Sequence, residues 1–321
     1  MANNTAFRFC LFLCICSISL SCVKFKTDLS NCIDKQNQNH ENAFNVVWNI
    51  PSERCDQQYD VMINRALQKL GVDVNALGEG GWQGSIITLI YREELGFYPW
   101  IAQNGTLVNG GLPQMGNLSE HLRKMESDLN VMIPDVRYDG LGVIDWEAWR
   151  PLWDRNYDSF DRYRQLSVKK VSEEHPDWSR DEVEQAAKDE FEAAAREFMQ
   201  QTMLRAEELR PHAKWGFYLF PNCHNTKSQR HCTHKEQRLN NKLLWLFNAS
   251  SSLYPSAYLV SGDNHTSNQD HIHGQIGEAL RIQNKLEKPV YMYHRIRHWM
   301  VYLCSKKKQY EPVPSCRTYI N

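Results

Sequence analysis

Two carboxylates spaced i, i+2, Asp145 and Glu147, stand at the end of a short apolar run, Gly140-Leu141-Gly142-Val143-Ile144. Residues two apart on a strand share a face, which sets the two acids side by side. Adjacent acids repel and burial raises carboxyl pKa values, so one of the pair is expected to hold a proton near neutral pH. General-acid cleavage of a glycosidic bond requires such a proton. An ordinary strand end with two solvated acids would carry the same spacing, and D-x-E alone does not separate the two readings.

The surrounding residues do. Val143-Ile144-Asp145-Trp146-Glu147-Ala148-Trp149-Arg150-Pro151 resembles the catalytic strand of the hyaluronidases of animal tissues and venoms. Further blocks resemble the same family in the same order: Phe44-Asn45-Val46-Val47-Trp48-Asn49-Ile50-Pro51, then Arg210-Pro211-His212-Ala213-Lys214-Trp215-Gly216-Phe217-Tyr218, then Leu253-Tyr254-Pro255-Ser256-Ala257-Tyr258. The resemblance runs from about Phe44 to Arg297. It implies a secreted endo-β-N-acetylhexosaminidase acting on hyaluronan, with chondroitin a second candidate, in which Glu147 protonates the leaving oxygen and then activates water.

Strand spacing bears on the mechanism. Retaining enzymes with two working carboxylates hold them about 5–5.5 Å apart on opposite sides of the bond. Residues i and i+2 of one strand do not bracket a sugar that way. Substrate assistance suits the geometry better, with the acetamido oxygen attacking C1 to give an oxazolinium-like intermediate. Asp145 is then expected to orient the acetamido N–H, and Tyr218 to hydrogen-bond at the same group. Arg150 could fix the Glu147 carboxylate or a uronate, or cap the turn before Pro151. Tyr254 and Tyr91 are weaker candidates for substrate contact in the cleft.

No cofactor is expected. His271, His273 and Asp270, or His231, Cys232 and His234, give incomplete ligand sets for a metal, and no G-x-S-x-G element is present. A net charge of −1 gives no electrostatic footprint for nucleic acid. Lys306-Lys307-Lys308 reads as a solvated run that could add attraction to a polyanion.

Arg8, the apolar run Phe9 to Leu20 and the small residues up to Cys22 have the order of a secretory leader over 1–22. A secreted, extracellular monomer without a membrane span is expected. Asn104, Asn117, Asn248 and Asn264 each begin an N-x-Ser/Thr acceptor triplet. Cys223 and Cys232 are the natural short-loop disulfide for an oxidising compartment, and the family resemblance implies the same bridge.

Residues 23–42 are polar and read as a flexible mature N-terminus; 43–297 form the catalytic unit and 298–321 a divergent tail. Strands are predicted over Phe44–Ile50, Ser85–Tyr91, Gly140–Asp145, Trp215–Phe220, Ser256–Val260 and Pro289–Tyr293. Helices are predicted over Asp56–Leu70, Leu118–Leu129 and Gly274–Leu286, with two more across Phe160–Leu209 divided near His175-Pro176. Ser179 is the expected N-cap of the second and Glu182 its capping-box partner. Alternating strands and helices argue for a parallel α/β sheet. The resemblance implies a distorted (β/α) TIM-like barrel, with the acids at a strand's C-terminal end.

After Arg297 the resemblance stops. The family's later Asp-Gly…Trp-Gly segment, with a tryptophan of the acetamido pocket, has no counterpart here, and neither does the cysteine that would bridge to Cys55. A barrel lacking its last strand or strands, with unpaired edges, is therefore expected. The alternative function is a truncated, catalytically impaired glycan-binding form of the same fold.

Overall fold

The computed structural model describes residues 8–12, 45–50, 62–75, 82–225, 229–260 and 264–295. Short runs rich in Val, Ile, Leu and aromatics form its strands: β1 (Arg8–Phe12), β2 (Asn45–Trp48), β3 (Asp73–Val74), β4 (Ile87–Tyr91), β7 (Leu141–Asp145), β8 (Lys214–Phe217) and β9 (Tyr291–Arg295), with β5 (Trp100–Ile101) and β6 (Leu107–Val108) pairing apart as a small antiparallel ribbon. β7 lies between β4 and β8, parallel to both, with Tyr91 opposite Asp145 and Phe217 opposite Ile144. Near-continuous burial along β4 and β7 is what a parallel sheet covered on both faces requires.

The ring continues beyond β8 through single bridges: Tyr218 to Tyr254, Leu253 to Val290 and Ser256 to Tyr293. Ser256–Val260, predicted as a strand, contributes only such links, because Pro255 has no N–H to begin a ladder. On the far side β9, β1, β2 and β3 follow in order. Arg8–Phe12, within the stretch read as a leader, is parallel to both β2 and β9. It lies between them in the strand order. The result is a distorted parallel (β/α) barrel.

Asn75 joins β3 to β4. Its buried amide donates to Ile87 O at 2.7 Å and Asn49 Oδ1 at 2.9 Å, and accepts from Ile86 N and Ile87 N at 2.9 and 3.0 Å. Gly84 lets this side chain in, since a Cβ there would come within 2.2 Å of it.

Seven helices pack outside: α1 (Ile63–Lys69), α2 (Leu118–Met132), α3 (Asp161–Glu174), α4 (Arg180–Leu209), α5 (His234–Lys242), α6 (Leu244–Ala249) and α7 (His265–Leu286), counted among the described residues. Ser179 caps α4 with a complete capping box to Glu182, as predicted. Its buried stripe includes Val183, Ala187, Phe191, Ala195, Phe198 and Met203. α7 begins nine residues before the predicted Gly274, at the Asn264 cap, because its first turns are polar and carry no apolar period. The start of the predicted Asp56–Leu70 helix, like Cys55, falls outside the described residues.

Side-chain alternation along β7 sorts two cores. Leu141 and Val143 point into the barrel with Ile87, Leu89, Tyr254, Tyr291 and Tyr293. Ile144 and Trp146 point out to the helices with Trp149, Phe198 and Trp215. Burial of each large apolar side chain contributes about 1.5–3 kcal/mol. Gly142 is required by close approach: a Cβ there would lie 2.4 Å from the Trp215 ring. Buried Arg210 binds Leu129 O, Ile133 O and Asn130 Oδ1, tying the last turn of α2 to the start of β8.

Asn75→Ala leaves the buried Ile87 N–H and the part-buried Ile86 N–H without their acceptor, while Ile87 O keeps Gly84 N, and is expected to cost about 2–4 kcal/mol. Ser179→Ala is expected to cost about 1 kcal/mol. Denaturant midpoints of the two variants against the parent chain check both the sizes and their order.

Candidate active site

The alternation that sends Val143 inward sends Asp145 inward too, at the C-terminal end of β7. One of its oxygens, Oδ1, is buried and has no hydrogen-bond partner among the described residues. Burial raises the Asp145 pKa well above the ordinary carboxyl value, and the Glu147 charge raises it further. Arg150 and Arg92 oppose the rise without cancelling it. Burial thus favours the protonated form of Asp145.

Glu147 lies just past the strand and stays half-open to solvent, its side chain 41% exposed. The Arg150 guanidinium donates to Glu147 O at 2.8 Å and approaches Glu147 Oε1 at 3.7 Å, while lying over the Phe160 ring. Arg150 thus bonds the carbonyls of the turn before Pro151, Glu147 O and Trp149 O, and also lies near the Glu147 carboxylate.

Tyr218 follows β8 directly. Its hydroxyl donates to Ser256 Oγ at 3.1 Å. Burial holds the phenol pKa well above its usual value, with Tyr258, Glu147 and Asp145 also raising it, so the group is a hydrogen-bond donor across the ordinary pH range. Tyr293 and Tyr258 meet the Tyr218 ring at centroid distances of 5.2 and 6.3 Å. Leu219, next in the chain, has φ 81 and is held by its N–H bond to Tyr254 O. A non-glycine residue in that region costs about 1–3 kcal/mol and is found where a site over-determines the backbone.

Tyr91 reaches the same end of the barrel, beside Asp145 in register. Tyr254 does not. It is fully buried, its hydroxyl donates to Lys214 O and its ring stacks on Tyr291, so it supports the barrel wall and the expectation of a cleft contact is corrected. Ser256, the partner of the Tyr218 hydroxyl, was missed as a site residue, although it lies in the Leu253–Tyr258 block.

Cys223 and Cys232 lie side by side, the placement that the expected bridge requires. Contact with Cys223, followed by burial, raises the Cys232 pKa far above its ordinary value. Asn104, Asn117, Asn248 and Asn264 are all exposed. No helix of the described residues is long and apolar enough to cross a membrane. His231 and His273 meet edge to face at 5.9 Å, without a third metal-binding side chain among the described residues.

Because the folded chain holds the Asp145 proton more tightly than the unfolded one, which titrates near pH 3.9, this group's favourable contribution is complete below that pH. It is lost as the pH rises towards the folded value. Asp145→Asn is expected to melt at a higher temperature than the parent at neutral pH, with the gap closing towards about pH 3. Melting curves at several pH values check the sign; a gap that widened on acidification would contradict it.

Comparisons with known proteins agree with this arrangement. The family model described as "Hyaluronidase" matches residues 34–309. The chain is 40% identical over 264 residues to the hyaluronidase of Crotalus adamanteus and 39% identical over 267 residues to hyaluronidase-1 of Bitis arietans, covering 78% of this chain and 58% of each relative. It therefore spans a little over half the length of the curated relatives it matches. The crystal structure of bee venom hyaluronidase in complex with a hyaluronic acid tetramer is similar at TM-score 0.71 and 35% identity, covering 78% of this chain and 79% of that one. On the sequence match, the shared barrel and the paired acids at the end of β7, the chain belongs to the hyaluronidase family, glycoside hydrolase family 56.

Proposed function

We propose that the chain is a secreted endo-β-N-acetylhexosaminidase that hydrolyses hyaluronan with retention, by substrate-assisted catalysis. The observation that carries this reading is the buried, unpartnered Asp145 Oδ1 at the end of β7, with the more exposed Glu147 carboxyl and the Tyr218 hydroxyl within electrostatic reach of one another. An acetamido group offers one N–H and one carbonyl oxygen. The N–H suits the Asp145 oxygen and the carbonyl suits the Tyr218 O–H.

When the acetamido N–H donates to Asp145 it favours the ionised form there. Glu147, acting in its protonated form, gives its proton to the glycosidic oxygen as the C1–O bond breaks and the acetamido oxygen closes on C1. The positive charge that spreads over the acetamido nitrogen faces the Asp145 carboxylate. Water next attacks C1, gives its proton to Glu147, and reopens the ring with retained configuration. Arg150, at 3.7 Å from Oε1, keeps the Glu147 carboxyl aimed into the cleft.

Four exposed asparagines in acceptor triplets support export. The solved relative holding a hyaluronic acid tetramer supports the substrate class. Chondroitin is a second substrate candidate within the same chemistry.

Glu147→Gln is expected to lower kcat by about 10²–10⁴ with little change in melting temperature. Tyr218→Phe is expected to lower it about tenfold or more, the scale of one lost hydrogen bond to the reacting group. Zymograms of the full chain on hyaluronan and chondroitin, followed by kinetics on the active substrate, give these values. Full activity in Glu147→Gln would remove it as the acid. No cleared zone from the unmutated chain, with oligosaccharide binding retained, would favour the glycan-binding alternative.

A further inference from the structure

His121, in the first turn of α2, is fully buried and takes no part in the hydrolytic steps. Both of its ring nitrogens are committed. Nδ1 accepts from Phe97 N at 2.8 Å, and Nε2 meets Thr202 Oγ1 on α4 at 2.9 Å. The Thr202 hydroxyl donates its own hydrogen to Phe198 O at 2.7 Å, so towards the imidazole it can only accept. These partners fix one state of the ring, neutral and with its hydrogen on Nε2. A proton on Nδ1 would set two donors face to face and leave Phe97 N without its acceptor.

The same face of α2 holds this loop a second time. Asp128, two turns on, accepts from Gly96 N at 2.8 Å. The approach is close: Gly96 has φ 61, and a Cβ there would lie 2.3 Å from His121 Nδ1. The loop in turn supports the acids. Tyr98 lays its ring against Trp146 and Trp149 at centroid distances of 4.4 and 5.1 Å, and Pro99 O accepts from Trp149 Nε1 at 2.8 Å. The His121 ring itself meets Trp146 edge to face at 5.4 Å. Trp146 lies between Asp145 and Glu147 in the chain, and Trp149 follows two residues after Glu147. Direct contacts therefore run from the imidazole through Phe97, Tyr98 and Pro99 to the turn that aims Glu147.

We propose that His121 is a positioning residue: its neutral imidazole latches the 96–99 loop beneath the two acids, and its protonation releases that loop, turns Glu147 from its working direction and sets the acid limit of turnover. The role of Glu147 rests on the hydrolase reading given above, which the latch deepens by naming how that same site is regulated.

The electrostatic setting agrees. Charged groups on the elements packed around the ring are Lys124 and Asp128 on α2, Glu94 before Gly96, Arg205 on α4, and Asp145 and Glu147 on either side of Trp146. The His121 pKa is lowered to about 4, and burial is the cause. The unfolded chain binds this proton near pH 6.5. The stability that the neutral ring confers is thus complete above that pH and is lost as the pH falls towards 4. Opening of the loop, which brings the ring to water, becomes easier across the same window.

The test is the pH dependence of kcat and KM for the full chain on hyaluronan, from about pH 3 to 7, in the parent, His121→Asn and His121→Phe. Asparagine keeps an acceptor for Phe97 N that takes up no proton in this range. The parent's kcat is expected to fall about a hundredfold per pH unit below about pH 4, as one proton binds at the acid pair and one at His121. In His121→Asn the fall should be about tenfold per unit. His121→Phe, which has no acceptor, should lose about tenfold in kcat at the parent's best pH with KM within about twofold. A residue that served stability alone would leave the acid slope unchanged. An equal slope in the parent and His121→Asn, or a loss in His121→Phe that falls on KM alone, overturns the latch. Should neither variant fold, hydrogen exchange of the parent decides. Its Phe97 amide should open about tenfold more readily per pH unit as the pH falls from 6.5 to about 4, ahead of the Val143 amide in β7; opening only together with Val143 overturns the proposal. Failure of the hydrolase reading would show separately, as no turnover by the parent at any pH while Phe97 exchange keeps this pH dependence.

Discussion

A carboxyl group buried at the end of an apolar strand is the constraint around which this barrel is arranged. The inward face of β7 that delivers Leu141 and Val143 to the core delivers Asp145 to its rim, so packing and chemistry are set by the same two-residue period. A slip of one residue would send Asp145 out among the helices and Ile144 into the cleft. Register is therefore where the fold and the site meet, and Gly142 under the Trp215 ring helps to fix it.

The parts of the ring far from the acids serve the same end. Asn75 replaces a run of ladder hydrogen bonds between β3 and β4 with one amide, and Arg210 fastens α2 to the strand that carries Tyr218. Both are polar groups fully inside the protein with their hydrogen-bonding capacity well used. Such groups define one arrangement more sharply than apolar packing alone, because any alternative would leave them unpaired. The strained Leu219 backbone is tolerated in that setting, next to the tyrosine that needs a fixed direction.

Much of this was legible in the residues. The Asp145/Glu147 pair, the Ser179–Glu182 box and the strand preceding Tyr218 each rest on local chemistry, which a sequence displays. What was not legible depends on partners distant in the chain. Nothing around Tyr254 distinguishes a wall residue from a cleft residue, because the difference is made by Lys214 O and Tyr291. The apolar run containing Arg8–Phe12 has the composition of a leader and of a strand alike, and its pairing with β2 and β9 is made by residues distant in the chain. The start of α7 was hidden for a simpler reason: a helix entered through Asn, His, Thr, Ser and Gln has a cap but no apolar stripe to announce it.

Two helix caps fall on asparagines of the acceptor triplets. Asn117 and Asn264 begin α2 and α7 by accepting from Glu120 N and Ser267 N through their side-chain oxygens, and Ser119 of the acceptor triplet also donates to the Asn117 oxygen. A glycan attaches through the other atom of the amide, its nitrogen. Helix start and sugar attachment thus divide a single side chain between them. A sugar at either position would lock the amide against flipping and hold the capping oxygen turned towards its helix, so decoration of the surface and order of the first turn would reinforce each other.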